Sequence, residues 1–491
     1  MARRPGKPAV ARRASGGGLT NDGRWFTIPA IMSTQAPGIR EWRPESRCEP
    51  VVRIGVVLAE DGMPVIDLRV PDAAYELAAA GAAPHEVRAA RISARLEGNA
   101  VSVAVDGGPA QAAPCWTLTP DLPRPPARGE GVWVKGVVAG RGFHWQKHVD
   151  QTLAGRIDLL PGAGGIILVN ELPLEAYLAC VITSEMSSRC PIEFLRAQCI
   201  TARSWLLAFT EPKHVAEPFD RCNDDCCQRY QGTGDLSEAA LDAVESTRGL
   251  VLVAADGGVV DANYSKSCGG VVELPEHVWG VHKPGLGPQV DAPAHSAAHR
   301  FLPVTEANLN EYLEGDWLRE TDVYCSPRVV PEESLGRYLG RVDETGRYFR
   351  WSVRYTHDEL LDMLRRKLPE AAAAARLCDL RVTRRGISGR ATEIVLDVEG
   401  AGRHMQKLTI ADQYRIRQIL HKSFLFSSAF AVHIERDAAG RCRAVTLRGA
   451  GWGHGAGLCQ IGALGMALCG NDHTRIVKHY FPEAELKRLY A

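Results

Sequence analysis

Residues 170–209, NELPLEAYLACVITSEMSSRCPIEFLRAQCITARSWLLAF, constrain this chain more than any other stretch. Leu174, Tyr177, Leu178, Val181 and Ile182 recur at i, i+3, i+4, i+7 and i+8, which predicts one buried face of a helix opened by Pro173. After Ser187-Ser188, Pro191 starts a second helix whose buried stripe is Leu195, Cys199, Ala202, Leu206 and Phe209, with Glu193 in its first turn. The two helices meet at a polar joint, Thr183-Ser184-Glu185-Met186-Ser187, in which Glu185 is the only carboxylate. At the C-terminal end of a helix the dipole and partial burial would both raise its pKa and favour the neutral acid, a group that can donate a proton. A solvated helix-end Glu is the plainer reading of the same pattern, so the rest of the chain has to decide.

The 491 residues are too many for one simple core and suit about three lobes at roughly 150 residues each. Lys plus Arg and Asp plus Glu balance at 58 each, so no global field recruits nucleic acid or an acidic membrane. The longest apolar runs fall far short of a membrane span. MARRPGKPAVARRASGGG has the basic region of an export signal with no apolar core behind it, and a start at Met32 gives none either, so no signal peptide is expected. Fourteen cysteines are many for a cytosolic chain but too sparse for a disulfide scaffold, and Cys180, Cys199, Cys378 and Cys469 read as small buried hydrophobes.

In chain order, residues 1–46 read as a disordered or extended tail and 47–130 as a small α/β region. That region contains an edge or sandwich strand at VVRIGVV, an alanine-rich helix over roughly 73–90, a hairpin at RISARLEGNAVSVAV and a Pro-rich connector. From 131 onward β-branched strands feed the two helices. A short helix at SEAALDAVEST, a hairpin at GLVLVAADGGVVDANYSKSCGG and an insertion around 283–350 follow. HDELLDMLRRKL is a helix, and DLRVTRRGISGRATEIVLDVEG a hairpin turning at Ser388-Gly389-Arg390. The strand AVTLRGAG, a glycine-rich segment and two short helices close the chain, making the fold class α+β.

Three clusters can carry chemistry. In GAGWGHGAGLCQIGA, glycines at 449, 451, 453, 455 and 457 leave alternate positions bare, an expected approach for a bulky polymer, with Trp452 and His454 projecting and Gln460 starting a helix. No Gly-Lys-Ser/Thr ending is present, which argues against a nucleotide site, while a structural turn with an incidental His is the alternative. Cys222, Cys226 and Cys227 with His214 upstream suit tetrahedral zinc, a disulfide or buried thiols. Tyr264, Ser265 and Ser267 in ANYSKSCGG end a strand at a double glycine, where hydroxyls and an aromatic face would line a sugar groove, or simply a β-turn.

Taken together, NELPLEAYLACVITSEM, PIEFLRAQCITARSW, DRCNDDCCQRYQG, ANYSKSCGG with VWG, SGRATEI, GWGHGAGLCQIGALGMA and the final HYFPEAEL resemble the stage II sporulation protein D (SpoIID)/LytB family in order, over roughly 165–490. The resemblance implies a SpoIID/LytB-like domain over 131–491, with a mixed β-rich core, a helical segment carrying a catalytic acid at Glu185 and a β-rich N-terminal region. It implies groove residues at Tyr264, Ser265, Ser267, His454 and Gln460, with Gln198 and Arg203 in support. No cofactor is required by it, although a structural zinc on His214, Cys222, Cys226 and Cys227 would match some members. Cys226 stands where the family commonly has His, and Cys268 and Cys459 stand where Ser is frequent.

The activity so implied is lytic transglycosylation of peptidoglycan glycan strands, with one Glu as acid and base and the substrate's own hydroxyl as nucleophile. A non-catalytic LytB-like enhancer of a cell-wall amidase partner is the alternative. A hydrolase using Cys227 or Cys459 with His454 is a third. The family implies the cell envelope or periplasm, against which the missing export signal leaves a cytoplasmic location open.

Overall fold

Strands of alternating β-branched and polar residues build the N-terminal half of the computed structural model, which describes residues 36–121, 126–142, 146–210, 213–340, 343 and 346–491. A seven-stranded sheet runs in the order Arg221–Cys222, Val51–Val57, Ile166–Pro173, Arg156–Pro161, Trp116–Pro120, Tyr75–Ala79 and His85–Val87. A six-stranded sheet runs in the order Lys147–Leu153, Val132–Ala139, Val65–Arg69, Arg91–Glu97, Ala100–Val105 and Gln111–Ala113. Side chains from both sheets, among them Ile54, Leu68, Ile92, Val103, Val134 and Leu159, share one buried core.

Several expectations are corrected here. The alanine-rich stretch 73–90 forms the strands Tyr75–Ala79 and His85–Val87 instead of a helix, because Tyr75, Leu77 and Ala79 pair with Pro120, Leu118 and Trp116 and bury against the sandwich. Tertiary burial overrides the helix propensity of alanine. Residue 130 is no boundary, since Val51–Val57 pairs antiparallel with Ile166–Pro173 and Trp116–Pro120 with Arg156–Pro161. The expected tail lies outside the described residues over 1–35. Over 36–46 it is folded, with Ile39 and Trp42 buried and Arg40 bonded to Asp220 at 2.8 Å.

The strand Ile166–Pro173 runs directly into helix α1, Leu174–Glu185, and after a short break Pro191 precedes helix α2, Ile192–Ala208. Both prolines sit at the N-cap, where their fixed φ and missing N–H cost nothing. The expected stripe of α1 is buried, but so are Ala179, Cys180, Thr183 and Ser184 on its other faces, so the helix is enclosed and not amphipathic. Two of its hydroxyls are satisfied within the helix: Thr183 and Ser184 donate to the carbonyls of Ala179 and Cys180 at 3.1 and 2.7 Å.

The expected hairpin at 249–270 is reduced to a tight turn at Gly257. Leu250–Val253 pairs instead with the C-terminal strand Glu485–Arg488, and Tyr264–Ser265 runs parallel to Leu458–Cys459. Residues 283–340 pack into the body of the molecule, with Ala292, Val323, Cys325 and Tyr338 in the main core. A second core, built on Trp351, Leu360, Leu364, Leu396, Ile416 and Leu447, gathers the strands and helices between 350 and 450.

Candidate active site

Glu185 is the last residue of α1, and Met186 leaves the helix in extended conformation, so the elbow turns the carboxyl inward. It is 7% exposed. The Tyr264 hydroxyl donates to its Oε1 at 2.9 Å, the Arg229 backbone N–H to the same atom at 3.1 Å, and Gln460 Nε2 lies 3.5 Å from Oε2. Three distant segments thus converge on one carboxyl. Burial raises its pKa above the ordinary 4.5, an effect partly offset by the charges of Arg229 and Lys266.

Those two cations are held mainly by a different acid. Lys266 Nζ donates to Asp343 Oδ2 at 2.8 Å and to the Glu185 backbone carbonyl at 2.9 Å, while the Arg229 guanidinium reaches Asp343 Oδ1 at 2.5 Å and also pairs with Asp225. Burial alone would raise Asp343, yet Lys266 and Arg229 keep it below its usual range. Lys266, Arg229 and Asp343 escaped the sequence reading. Lys266 carried a signal, being the one cation inside ANYSKSCGG. Asp343 carried none.

The glycine-rich segment serves a purpose other than the expected one. Gly451, Gly453, Gly455 and Gly457 all have positive φ, between 73° and 94°. A Cβ on Gly455 would overlap the Arg390 guanidinium, one on Gly457 the Asn263 carbonyl and one on Gly449 the Trp351 ring. The bare positions admit the protein's own backbone and side chains, which corrects the reading of an exposed ribbon for a polymer. This close approach lets Ser267 and Trp452 exchange backbone hydrogen bonds at 3.0 and 2.8 Å and sets Leu458–Cys459 beside Tyr264–Ser265, aiming Tyr264 and Gln460 at Glu185.

The other expected groove residues are placed less openly. Ser265 and Ser267 are buried, and neither hydroxyl has a hydrogen-bond partner among the described residues. His454 packs on Trp279 with ring centroids 4.9 Å apart, and its Nδ1 accepts the Ala456 N–H at 3.1 Å. Burial, with Arg390 and Arg417 nearby, pushes its pKa down to about 3, so it is neutral. His454 does not pair with Cys459, whose Sγ accepts the N–H groups of Cys268 and Gly462 at 3.2 and 3.3 Å. Gln198 is fully buried without a described partner, and Arg203 forms a buried two-bond pair with Glu175 at 3.0 and 2.6 Å.

Donor atoms of His214, Cys222, Cys226 and Cys227 lie within 4.8 Å of one another. One imidazole and three thiols are a donor set for tetrahedral zinc, and these residues fit that ion. The loop they form leads directly to Arg229. Gly346, Arg347, Trp351, Phe426 and Trp452 line a cavity of about 580 Å³. Phe426 stacks on Trp452 at 4.6 Å in its wall.

An enclosed, hydrogen-bonded carboxyl at a helix elbow, with a Cys/His cluster on the adjoining loop, marks the candidate site of this α+β protein. Residues 162–253 match the SpoIID family model, described as Stage II sporulation protein. α1, α2 and the Cys/His cluster fall inside the match, while Tyr264 and Gln460 fall beyond it. Residues 301–457 match a domain of unknown function, DUF8618, whose span takes in the second core. An uncharacterized protein of Brachyspira hyodysenteriae is 26% identical over 327 residues, covering 67% of this chain and 70% of its own length. The SpoIID domain associates the chain with the cell wall and its peptidoglycan. Among the described residues no helix is long and apolar enough to cross a membrane.

Proposed function

We propose that this protein cleaves peptidoglycan glycan strands as a lytic transglycosylase, with Glu185 acting first as general acid and then as general base. The observation that carries the reading is the Glu185 carboxyl itself, enclosed, bonded by Tyr264 and Gln460, and raised in pKa by burial.

Neutral Glu185 gives its proton to the glycosidic oxygen as the bond from that oxygen to the muramic acid anomeric carbon breaks. The primary hydroxyl of the same muramic acid then bonds to the anomeric carbon and returns its proton to the Glu185 carboxylate. No water is consumed, and the product is an anhydromuramyl end. Because the nucleophile is tethered to the reacting carbon, its effective concentration is large, and a second catalytic carboxylate is unnecessary.

Tyr264 and Gln460 orient Glu185 and stabilise its carboxylate between the two proton transfers. Neutral His454 supports the Tyr264 strand, and Ser265 and Ser267 help shape the approach. The aromatic wall formed by Phe426 and Trp452 suits the apolar faces of sugars, and the exposed Arg347 beside it suits the acidic groups of the polymer. Zinc on His214, Cys222, Cys226 and Cys227 would be structural, since four protein donors leave no open position, and it would fix the loop that delivers the Arg229 N–H.

The test is digestion of purified glycan strands by the wild type and by Glu185→Gln, with mass spectrometry of the products. Anhydro ends from the wild type and none from the variant are expected. Reducing ends would mean ordinary hydrolysis, and equal rates for the two proteins would remove Glu185 from the chemistry.

A further inference from the structure

A second cluster of metal-ligating side chains gathers around Cys459, at the end of the Leu458–Cys459 strand. Cys268 follows the ANYSKS segment, Asp291 ends the short strand Gln289–Val290, Cys325 lies in the 283–350 stretch, and Cys459 caps the helix Gln460–Leu468. Their donor atoms fall within 4.8 Å of one another, and they are 1%, 0%, 3% and 0% exposed.

The spacing is that of a coordination sphere. Cys268 and Cys325 have their sulfurs 3.8 Å apart, and Cys268 Sγ is 3.4 Å from Asp291 Oδ2. A tetrahedral ion with metal–sulfur bonds of about 2.3 Å and a metal–oxygen bond of about 2.0 Å has sulfur–sulfur and sulfur–oxygen edges of about 3.8 and 3.5 Å. A disulfide needs about 2.05 Å and would strand one of three thiols, whereas a single ion satisfies all three.

The surroundings are arranged for anionic ligands. Cys459 Sγ accepts two backbone N–H groups, Cys268 Sγ accepts the Gly270 N–H at 3.3 Å, and Asp291 Oδ2 accepts the Cys325 N–H at 3.1 Å. The Tyr480 hydroxyl donates to Asp291 Oδ1 at 2.6 Å, fixing the carboxylate from behind as an outer partner of a metal ligand does. Among the ion pairs of the described residues none joins Asp291 to a lysine or arginine, and His479 Nε2 approaches it at 3.9 Å. A buried carboxylate in such a setting calls for a cation.

We propose that Cys268, Cys325, Cys459 and Asp291 form a second metal site, which takes one zinc ion on three thiolates and one carboxylate oxygen. The ligand charge equals that of a four-cysteine zinc site, and binding releases the thiol protons. The ion fastens together four separate segments. Since Cys459 adjoins Gln460 and Cys268 lies two residues beyond Lys266, it also steadies the two segments that bring Gln460, Lys266 and Tyr264 to Glu185.

Zinc is counted by native mass spectrometry and elemental analysis in the full chain and in Cys226→Ser/Cys227→Ser, which disables the His214 cluster. Two ions per wild-type chain and one in the variant are expected. In that background cobalt should give thiolate charge-transfer absorption that Cys459→Ser abolishes, and Asp291→Asn should release the remaining zinc to a chromophoric chelator at least about 10-fold faster. A Cys226→Ser/Cys227→Ser protein folded by circular dichroism yet devoid of zinc overturns the site, as does a disulfide among Cys268, Cys325 and Cys459. If the double variant does not fold, the wild-type count decides: two ions support the site, and one or none overturns it. None of these readouts depends on glycan cleavage, so their failure is separate from that of the Glu185 chemistry.

Discussion

Glu185 and Asp343 are two enclosed acids that share the same pair of cations and are shifted in opposite directions. Asp343 takes direct contacts from both Lys266 and Arg229 and is held below its usual range. Glu185 receives only a hydroxyl, a backbone N–H and an amide, and is raised. Burial is common to both, so the division of the cations sets the opposite directions of the two shifts.

Removing the raised acid should have the largest effect. Glu185→Gln is expected to lower glycan cleavage by about 100- to 10,000-fold, measured as anhydro ends released, with thermal unfolding near that of the wild type. Next comes its counterpart. Asp343→Asn strips Lys266 and Arg229 of their shared acid and should cost about 3–5 kcal/mol in urea unfolding, as breaking a buried pair does. Freed of Asp343, the two cations act more strongly on Glu185 and lower its pKa, so the alkaline limb of the pH–rate profile should move to lower pH.

Tyr264→Phe should move that limb the other way. The lost hydrogen bond stabilises the carboxylate, so its removal raises the Glu185 pKa further, and two variants shifting in the same direction would break the comparison. The stability of the wild type should show the same contrast. Above pH 4.5 the folded chain keeps a proton on Glu185 that the unfolded chain has lost, so this group lowers stability as pH rises toward its folded pKa. Asp343 acts oppositely: below pH 3.8 the unfolded chain takes up a proton first, and stability falls as pH drops through the lowered folded value. The smallest effect concerns the scaffold. Gly257→Ala, with positive φ but open space, should cost about 1 kcal/mol, and Gly455→Ala, which meets Arg390, about 1–3 kcal/mol more.

The helix pair was legible because Pro173, Pro191 and the apolar spacing between them are local signals. The convergence of Tyr264 and Gln460 on Glu185 could be expected only through family resemblance, since 79 and 275 residues separate them from it. The 73–90 stretch misled because its alanines favour a helix while its burial demands a strand. The glycines misled for a related reason: a sequence shows where a side chain is missing, but not whether a ligand or the protein itself takes up the room. Asp343 and the meeting of Cys268 with Cys325 and Cys459 follow from the course of the chain through 283–350, on which no local pattern reports.

The central claim, that Glu185 holds a proton when other carboxylates have lost theirs, is most directly tested by infrared difference spectroscopy between wild type and Glu185→Gln across a pH series. A carboxylic-acid carbonyl band present only in the wild type and persisting well above pH 4.5 is expected. A wild type that differs from the variant only by a carboxylate band at those pH values would contradict it.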